Sequence, residues 1–142
     1  MLHPRLHNEN SKMNQVSRGP LTRLLYVEDD ADIRAIATMA LEMVGGFTIN
    51  ACSSGVDALA AVGNFKPDLL LLDVMMPEMD GPSTLSGLRN LEQTAVTPVI
   101  FMTAKVQTTE LAYYLSLGAL GVIAKPFDPM TLPDQLRQMW NS

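Results

Sequence analysis

Four short apolar runs in this chain each stop on a reactive side chain, and this repetition narrows the fold more than any other feature. Leu24-Leu25-Tyr26-Val27 stops at Glu28-Asp29-Asp30, and Leu69-Leu70-Leu71-Leu72 stops at Asp73. Val99-Ile100-Phe101-Met102 stops at Thr103, and Val122-Ile123-Ala124 stops at Lys125. A run that is apolar at every position, rather than at every second one, suits a strand buried on both faces of a parallel sheet. Open sheets of that kind bind ligands beyond the carboxyl ends of their strands. Polar residues could merely punctuate strand ends. Acids, a hydroxyl and an ammonium gathered at one edge instead favour a chemical site.

Between the runs the spacing becomes helical. Ile33, Ile36, Ala37, Ala40, Leu41 and Val44 recur at intervals of one, three and four, as one helix stripe does. Asp30 suits the N-cap of that helix, and Gly45-Gly46 suit its end. A short strand over Phe47 to Ala51 follows. Ser54 and Asp57 have capping-box spacing ahead of a helix with Leu59 and Val62 inward. A third helix follows Gly81-Pro82 and carries Leu85, Leu88 and Leu91. A fourth runs from about Thr108, with Leu111 and Leu115 inward, to Gly118. The last begins near Thr131, which the spacing pairs with Asp134; Pro133 falls in its first turn, where a missing N–H costs nothing. Leu132, Leu136, Met139 and Trp140 make its apolar face. Five strand–helix units in succession predict an α/β fold with a parallel sheet and right-handed crossovers.

A chain of 142 residues suits one domain, expected over 21–142, behind a disordered tail over 1–20 that lacks the apolar segment of a secretory signal. No run approaches the roughly 18 consecutive apolar residues of a membrane span. The single Cys52 cannot form an internal disulfide and reads as a small core or edge residue, which points to a reducing, cytoplasmic setting. A net charge of −5 argues against nucleic acid as a direct partner, since that binding needs a basic face.

The motifs Val27-Glu28-Asp29-Asp30-Ala31-Asp32-Ile33-Arg34, Asp73-Val74-Met75-Met76-Pro77-Glu78-Met79-Asp80-Gly81, Phe101-Met102-Thr103-Ala104 and Lys125-Pro126-Phe127 together resemble the receiver domain of two-component response regulators. The resemblance covers roughly residues 21 to 141, with each motif at an expected strand end. It implies a flavodoxin-like, doubly wound (βα)5 fold with strand order 2-1-3-4-5. It also implies that Asp73 is a phosphoacceptor, attacking phosphorus to form an aspartyl phosphate. Glu28, Asp29 and Asp73 align with the family's acidic cluster, and Mg²⁺ suits such oxygens, with the Met75 backbone carbonyl as a further ligand. Lys125 is implied as a point charge on a phosphoryl oxygen, aimed by a Lys125-Pro126 bond that is cis in many relatives. Thr103 is implied as a hydroxyl donor that moves inward on phosphorylation. Asp30 and Asp32 fit capping and solvation, and Gly81 the turn after the acceptor loop.

One departure concerns the switch. Receivers commonly carry Tyr or Phe three residues before the Lys, coupled to the Thr movement, whereas this chain has Val122. The change is therefore expected to travel through the backbone of residues 103 to 109 and packing near Tyr113 and Tyr114. Met75 and Lys105, two residues beyond Asp73 and Thr103, are expected to shield the aspartyl phosphate from water.

The resemblance implies a stand-alone, Mg-dependent signalling protein, not an enzyme, that takes its phosphoryl group from a histidine kinase or hybrid kinase. It would alter binding to a protein partner through the face made by the fourth helix, fifth strand and fifth helix. Alternatives are a phosphorelay intermediate passing the group to a histidine, or the receiver fragment of a multidomain regulator. A dehalogenase-type phosphatase would want Asp rather than Met at position 75. A flavodoxin-like FMN carrier would want a Gly/Ser/Thr-rich loop where Glu28-Asp29-Asp30 stands.

Overall fold

A computed structural model describes residues 18–142 of the chain. The expected disordered tail falls outside the described residues except for positions 18–20, where the Gly19 carbonyl accepts a hydrogen bond from the Trp140 indole at 2.8 Å. The strands are β1 (Arg23–Val27), β2 (Thr48–Cys52), β3 (Leu69–Asp73), β4 (Val99–Thr103) and β5 (Gly121–Ala124). The helices are α1 (Ala31–Met39), α2 (Gly55–Phe65), α3 (Gly81–Arg89), α4 (Thr108–Ser116) and α5 (Leu132–Asn141). All strand pairs are parallel and the order is β2-β1-β3-β4-β5, as the resemblance implies. No helix of the described residues is long and apolar enough to cross a membrane.

Why the runs lack alternation is visible in the packing. Successive side chains of a strand point to opposite faces, and here both faces are covered. Leu24, Tyr26, Leu69, Leu71, Ile100, Met102 and Ile123 pack with Ala37 and Leu41 on one side and Leu132, Leu136 and Trp140 of α5. Leu25, Val27, Leu70, Leu72, Val99 and Phe101 pack with Ala58 and Val62 of α2, Leu85 and Leu88 of α3, and Tyr114 of α4. A fully buried Leu contributes about 1.5–3 kcal/mol, so β3 alone anchors both layers.

Local chemistry sets the helix ends. Asp30 accepts from the backbone N–H of Asp32 at 2.9 Å and of Ile33 at 3.0 Å, as its capping role requires. The helix then widens into one π turn (Ala40–Val44) before Gly46, whose φ of +73° only glycine adopts freely, ends it. The stripe narrows in consequence: Ala37, Ala40 and Leu41 are buried, while Ile36 and Val44 are exposed. Strand β2 sits one residue later than expected and ends on Cys52. Ser54 caps α2 through the Asp57 N–H, but the Asp57 carboxylate accepts from Ser53. At α5 the expected Thr131–Asp134 cap does not form. Asp128 takes its place, accepting from the Met130 N–H at 2.9 Å, while the Thr131 hydroxyl donates to the Asp128 carbonyl. Helix α4 buries Tyr114 in place of the expected Leu111 and Leu115, which share its side of the helix but are left exposed at its margins.

Candidate functional site

The five positions singled out at strand ends all lie at the carboxyl edge of the sheet. Asp73 and Thr103 are the last residues of β3 and β4, and Glu28 and Lys125 directly follow β1 and β5. Because β1 and β5 flank the central pair, four chain-distant groups are neighbours. Lys125 Nζ donates to Glu28 Oε1 at 2.8 Å and to Asp73 Oδ1 at 3.2 Å. The Lys125-Pro126 bond is cis. A carboxylate oxygen from each of Glu28, Asp29 and Asp73 lies within 4.8 Å of the others. Glu28 and Asp73 are buried and Asp29 is exposed, so the cluster opens to solvent on one side.

Burying two carboxylates beside one ammonium has an electrostatic consequence. Burial first, then the neighbouring Glu28 charge, holds the Asp73 carboxyl well above the usual range, and Lys125 opposes both. For Lys125, burial works to lower the pKa, but its hydrogen bond to Glu28 and the attraction of both acids outweigh that and leave it raised. Both shifts are upward, which disfavours the Asp73 anion but favours the Lys125 ammonium, for a geometric reason. The ammonium lies closer to Glu28 than to Asp73, so one positive charge leaves the Asp73 anion incompletely compensated. The cluster therefore has room, electrostatically, for a second cation. Its donors are carboxylate oxygens, the hard ligands that Mg²⁺ selects. The residues present fit the ion.

Supporting contacts hold the acids in place. Glu28 Oε2 accepts from the Asp30 N–H at 3.1 Å. The Arg34 guanidinium donates to the Glu28 carbonyl at 2.7 Å, a contact that sequence reasoning missed. Its only sequence signal was a cation in the first turn of the helix after the acids. The loop after Asp73 is pinned by Gly81, whose N–H donates to the Val74 carbonyl at 2.9 Å. A Cβ at position 81 would stand 2.6 Å from the Asp73 carbonyl oxygen and 2.9 Å from the Val74 Cα. Glycine is needed there for close approach rather than for a turn. The left-handed residue of that loop is Glu78, at φ +67°. The Met75 side chain is exposed, as is that of Lys105.

Strand alternation divides the site. Glu28, Asp73 and Lys125 fall in phase with Tyr26, Leu71 and Ile123, which face α1 and α5. Thr103 falls in phase with Val99 and Phe101, which face α2, α3 and α4. Thr103 is fully buried, its hydroxyl oxygen accepts from the Lys105 N–H at 3.1 Å, and its carbonyl accepts from the Lys125 N–H at 2.9 Å. Val122, paired with Phe101 across β4 and β5, packs on the same side.

The chain is similar to known proteins. A family model described as the response regulator receiver domain matches residues 24–137. The chain is 36% identical over 116 residues to the transcriptional regulatory protein CseB of Streptomyces avermitilis, covering 82% of this chain and 48% of that protein. It is 36% identical over 115 residues to the DNA-binding response regulator MtrA of Mycobacterium tuberculosis, covering 81% and 49%. The chain thus spans about half the length of the curated relatives it matches. Among solved structures, chemotaxis protein CheY4 of Vibrio cholerae superposes with a TM-score of 0.77 at 28% identity, over 84% of this chain and 99% of that one.

Proposed function

Because the chain belongs to the response regulator receiver domain family, we propose that it accepts a phosphoryl group on Asp73 from a histidine kinase or hybrid kinase and so changes its affinity for a protein partner. The observation that carries this reading is Lys125 bridging Glu28 and Asp73 beside the open carboxylate of Asp29. In the transfer, an Asp73 oxygen attacks phosphorus and a P–O bond forms as the P–N bond of a phosphohistidine breaks. The departing imidazole nitrogen keeps the electron pair. Phosphoryl transfer asks a protein mainly for alignment and charge neutralisation, and the Lys125 contacts to Glu28 and Asp73 support that reading. Glu28, Asp29, Asp73 and the Met75 backbone carbonyl would hold Mg²⁺, which would offset the charge of the acids and of the incoming oxygens. Lys125 supplies a fixed positive charge, and Thr103 a hydroxyl for one phosphoryl oxygen.

The protein acts on itself and turns over no external substrate. Output leaves by the α4–β5–α5 face, where Val106, Leu111, Tyr113 and Leu115 are exposed on or beside α4. Incubation with acetyl phosphate and Mg²⁺ followed by intact mass measurement tests the acceptor. Wild type should gain one phosphoryl adduct and Asp73→Asn none; an adduct on both would reject Asp73. The half-length match to proteins named as transcriptional regulators supports a second reading, the receiver part of a longer regulator. The mass of the native gene product separates the two.

A further inference from the structure

The sheet has two edge strands, β2 and β5, and they are protected unequally. An edge invites pairing with another chain, and proteins blunt it with short strands, lysine and proline. Strand β5 is four residues long and runs into Lys125-Pro126. Strand β2, Thr48-Ile49-Asn50-Ala51-Cys52, carries no charge and no proline. The Thr48 N–H donates to the Thr22 carbonyl and the Cys52 carbonyl accepts from the Glu28 N–H, so Thr48, Asn50 and Cys52 turn their backbone groups toward β1. Alternation points those of Ile49 and Ala51 the other way, where no strand of the described residues meets them. Beside this edge, α1 and its π turn leave a groove of about 510 Å³ lined by Ala31, Ala35, Thr38, Met39, Met43 and Ala51. Met39 and Met43 are 61% and 79% exposed, an open apolar patch of the kind that marks an interaction site. The Thr38 hydroxyl is buried with no hydrogen-bond partner among the described residues. Arg34 and Glu42 complete the lining, one on each side of Thr38 along the helix.

We propose that β2 is the seam of a homodimer: the β2 strands of two copies pair antiparallel about a two-fold axis through Asn50, joining two sheets into one. Ile49 of each copy exchanges both backbone hydrogen bonds with Ala51 of the other, and the two Asn50 residues face each other as the non-hydrogen-bonded pair. Their side-chain amides then hydrogen-bond across the axis and fix the register. An axis perpendicular to the sheet keeps each helix on its own face and reverses its direction. The two α1 helices therefore lie antiparallel, with Thr38, which shares the groove with Ala51, at the level of the axis. Arg34 of one copy meets Glu42 of the other, and the methionines of each fill the groove of its mate. A parallel pairing would set Arg34 against Arg34 and Glu42 against Glu42, so the charges select the antiparallel one. Such self-complementarity is what an isologous interface requires, and it favours a second copy over an unrelated strand. The acceptor sites and the α4–β5–α5 faces of both copies stay open, because they lie at other edges of the sheet.

Sedimentation equilibrium of the full chain, without Mg²⁺ or a phosphoryl donor, tests this. Wild type should sediment at twice its 15.5 kDa mass, with a dissociation constant below about 100 μM. Ala51→Pro removes an outward N–H at a position where an edge strand tolerates proline. It should be monomeric and keep the circular dichroism of wild type. Glu42→Arg sets like charges against each other across the seam and should weaken association about tenfold. Leu111→Glu, on the α4 face, should leave association unchanged. Asn50→Cys in a Cys52→Ser chain reads the register even if Ala51→Pro does not fold: mild oxidation should link two copies, since such a pair stands at disulfide spacing. A monomeric wild type, a dimer indifferent to Glu42→Arg, no cross-link through position 50, or dissociation by Leu111→Glu would each overturn the seam. None of these results bears on Asp73 as acceptor, which the mass measurement above tests separately.

Discussion

At the carboxyl edge of the sheet, the face toward α1 and α5 buries the carboxylates of Glu28 and Asp73, while the face toward α4 buries the neutral hydroxyl of Thr103. On the first, Glu28, Asp73 and Lys125 are tied by ion pairs of 2.8 and 3.2 Å in a largely buried setting. On the second, Phe101, Tyr114 and Val122 meet through apolar and ring packing, and the buried Thr103 hydroxyl accepts from the Lys105 N–H. Charges removed from water hold their partners firmly, because an unpaired buried charge costs several kcal/mol. A neutral hydrogen bond nets about 1 kcal/mol and can be exchanged. One face is therefore suited to keep its geometry through the chemistry, and the other to change.

Exchanging Lys125 for Ala should break this contrast most strongly. It leaves Glu28 and Asp73 facing each other without a cation, lowering the unfolding free energy by about 1–3 kcal/mol in chelator. Mg²⁺ should restore part of that loss, by up to roughly 2.7 kcal/mol at a hundred times its dissociation constant. Denaturant unfolding with and without the ion measures both, and stability indifferent to Lys125 would deny the charged face its rigidity. Next in size is Gly81→Ala, whose methyl group would press on the Asp73 carbonyl. A cost of about 1–3 kcal/mol is expected for such overpacking, with slower adduct formation because the acceptor itself is displaced. Thermal melts and intact mass read the two effects.

Smaller effects should follow on the neutral face. Val122→Tyr adds a second ring beside Phe101 and should alter the amide shifts that phosphorylation induces along α4, as NMR would show. Because Val122 is partly exposed, adduct formation should stay within about twofold. Unaltered shifts would remove this corner from the switch. Smallest is the effect of flanking residues: with Met75 and Lys105 beside the site, the phosphorylated form should outlast seconds, and Met75→Gly should shorten its life. A wild-type lifetime of seconds or less would count against any shielding.

The strands were legible because an apolar run four residues long and buried on both faces has few other uses, and Leu69–Leu72 is the plainest case. The site was legible for the same reason, since a reactive residue directly after such a run must lie at the sheet edge. Helix faces were less so. Leu111, Tyr114 and Leu115 share one side of a nine-residue helix by spacing, and periodicity alone ranks leucine as the inward residue. Ring contact with Phe101 decided for Tyr114. The reason for Gly81 was likewise hidden, because close approach of α3 to the Asp73 loop involves backbone atoms that no side-chain pattern records.

By itself, then, the sequence determined which residues form strands, which groups end them and, through alternation, which face each group takes, because these depend on bonds and spacing along the chain. Tertiary structure alone decided that Lys125 leans toward Glu28 more than Asp73, that the Asp73 carboxyl is raised, and that a helix tyrosine stands against Phe101. Those outcomes depend on distances between residues far apart in sequence, where burial and charge act through space.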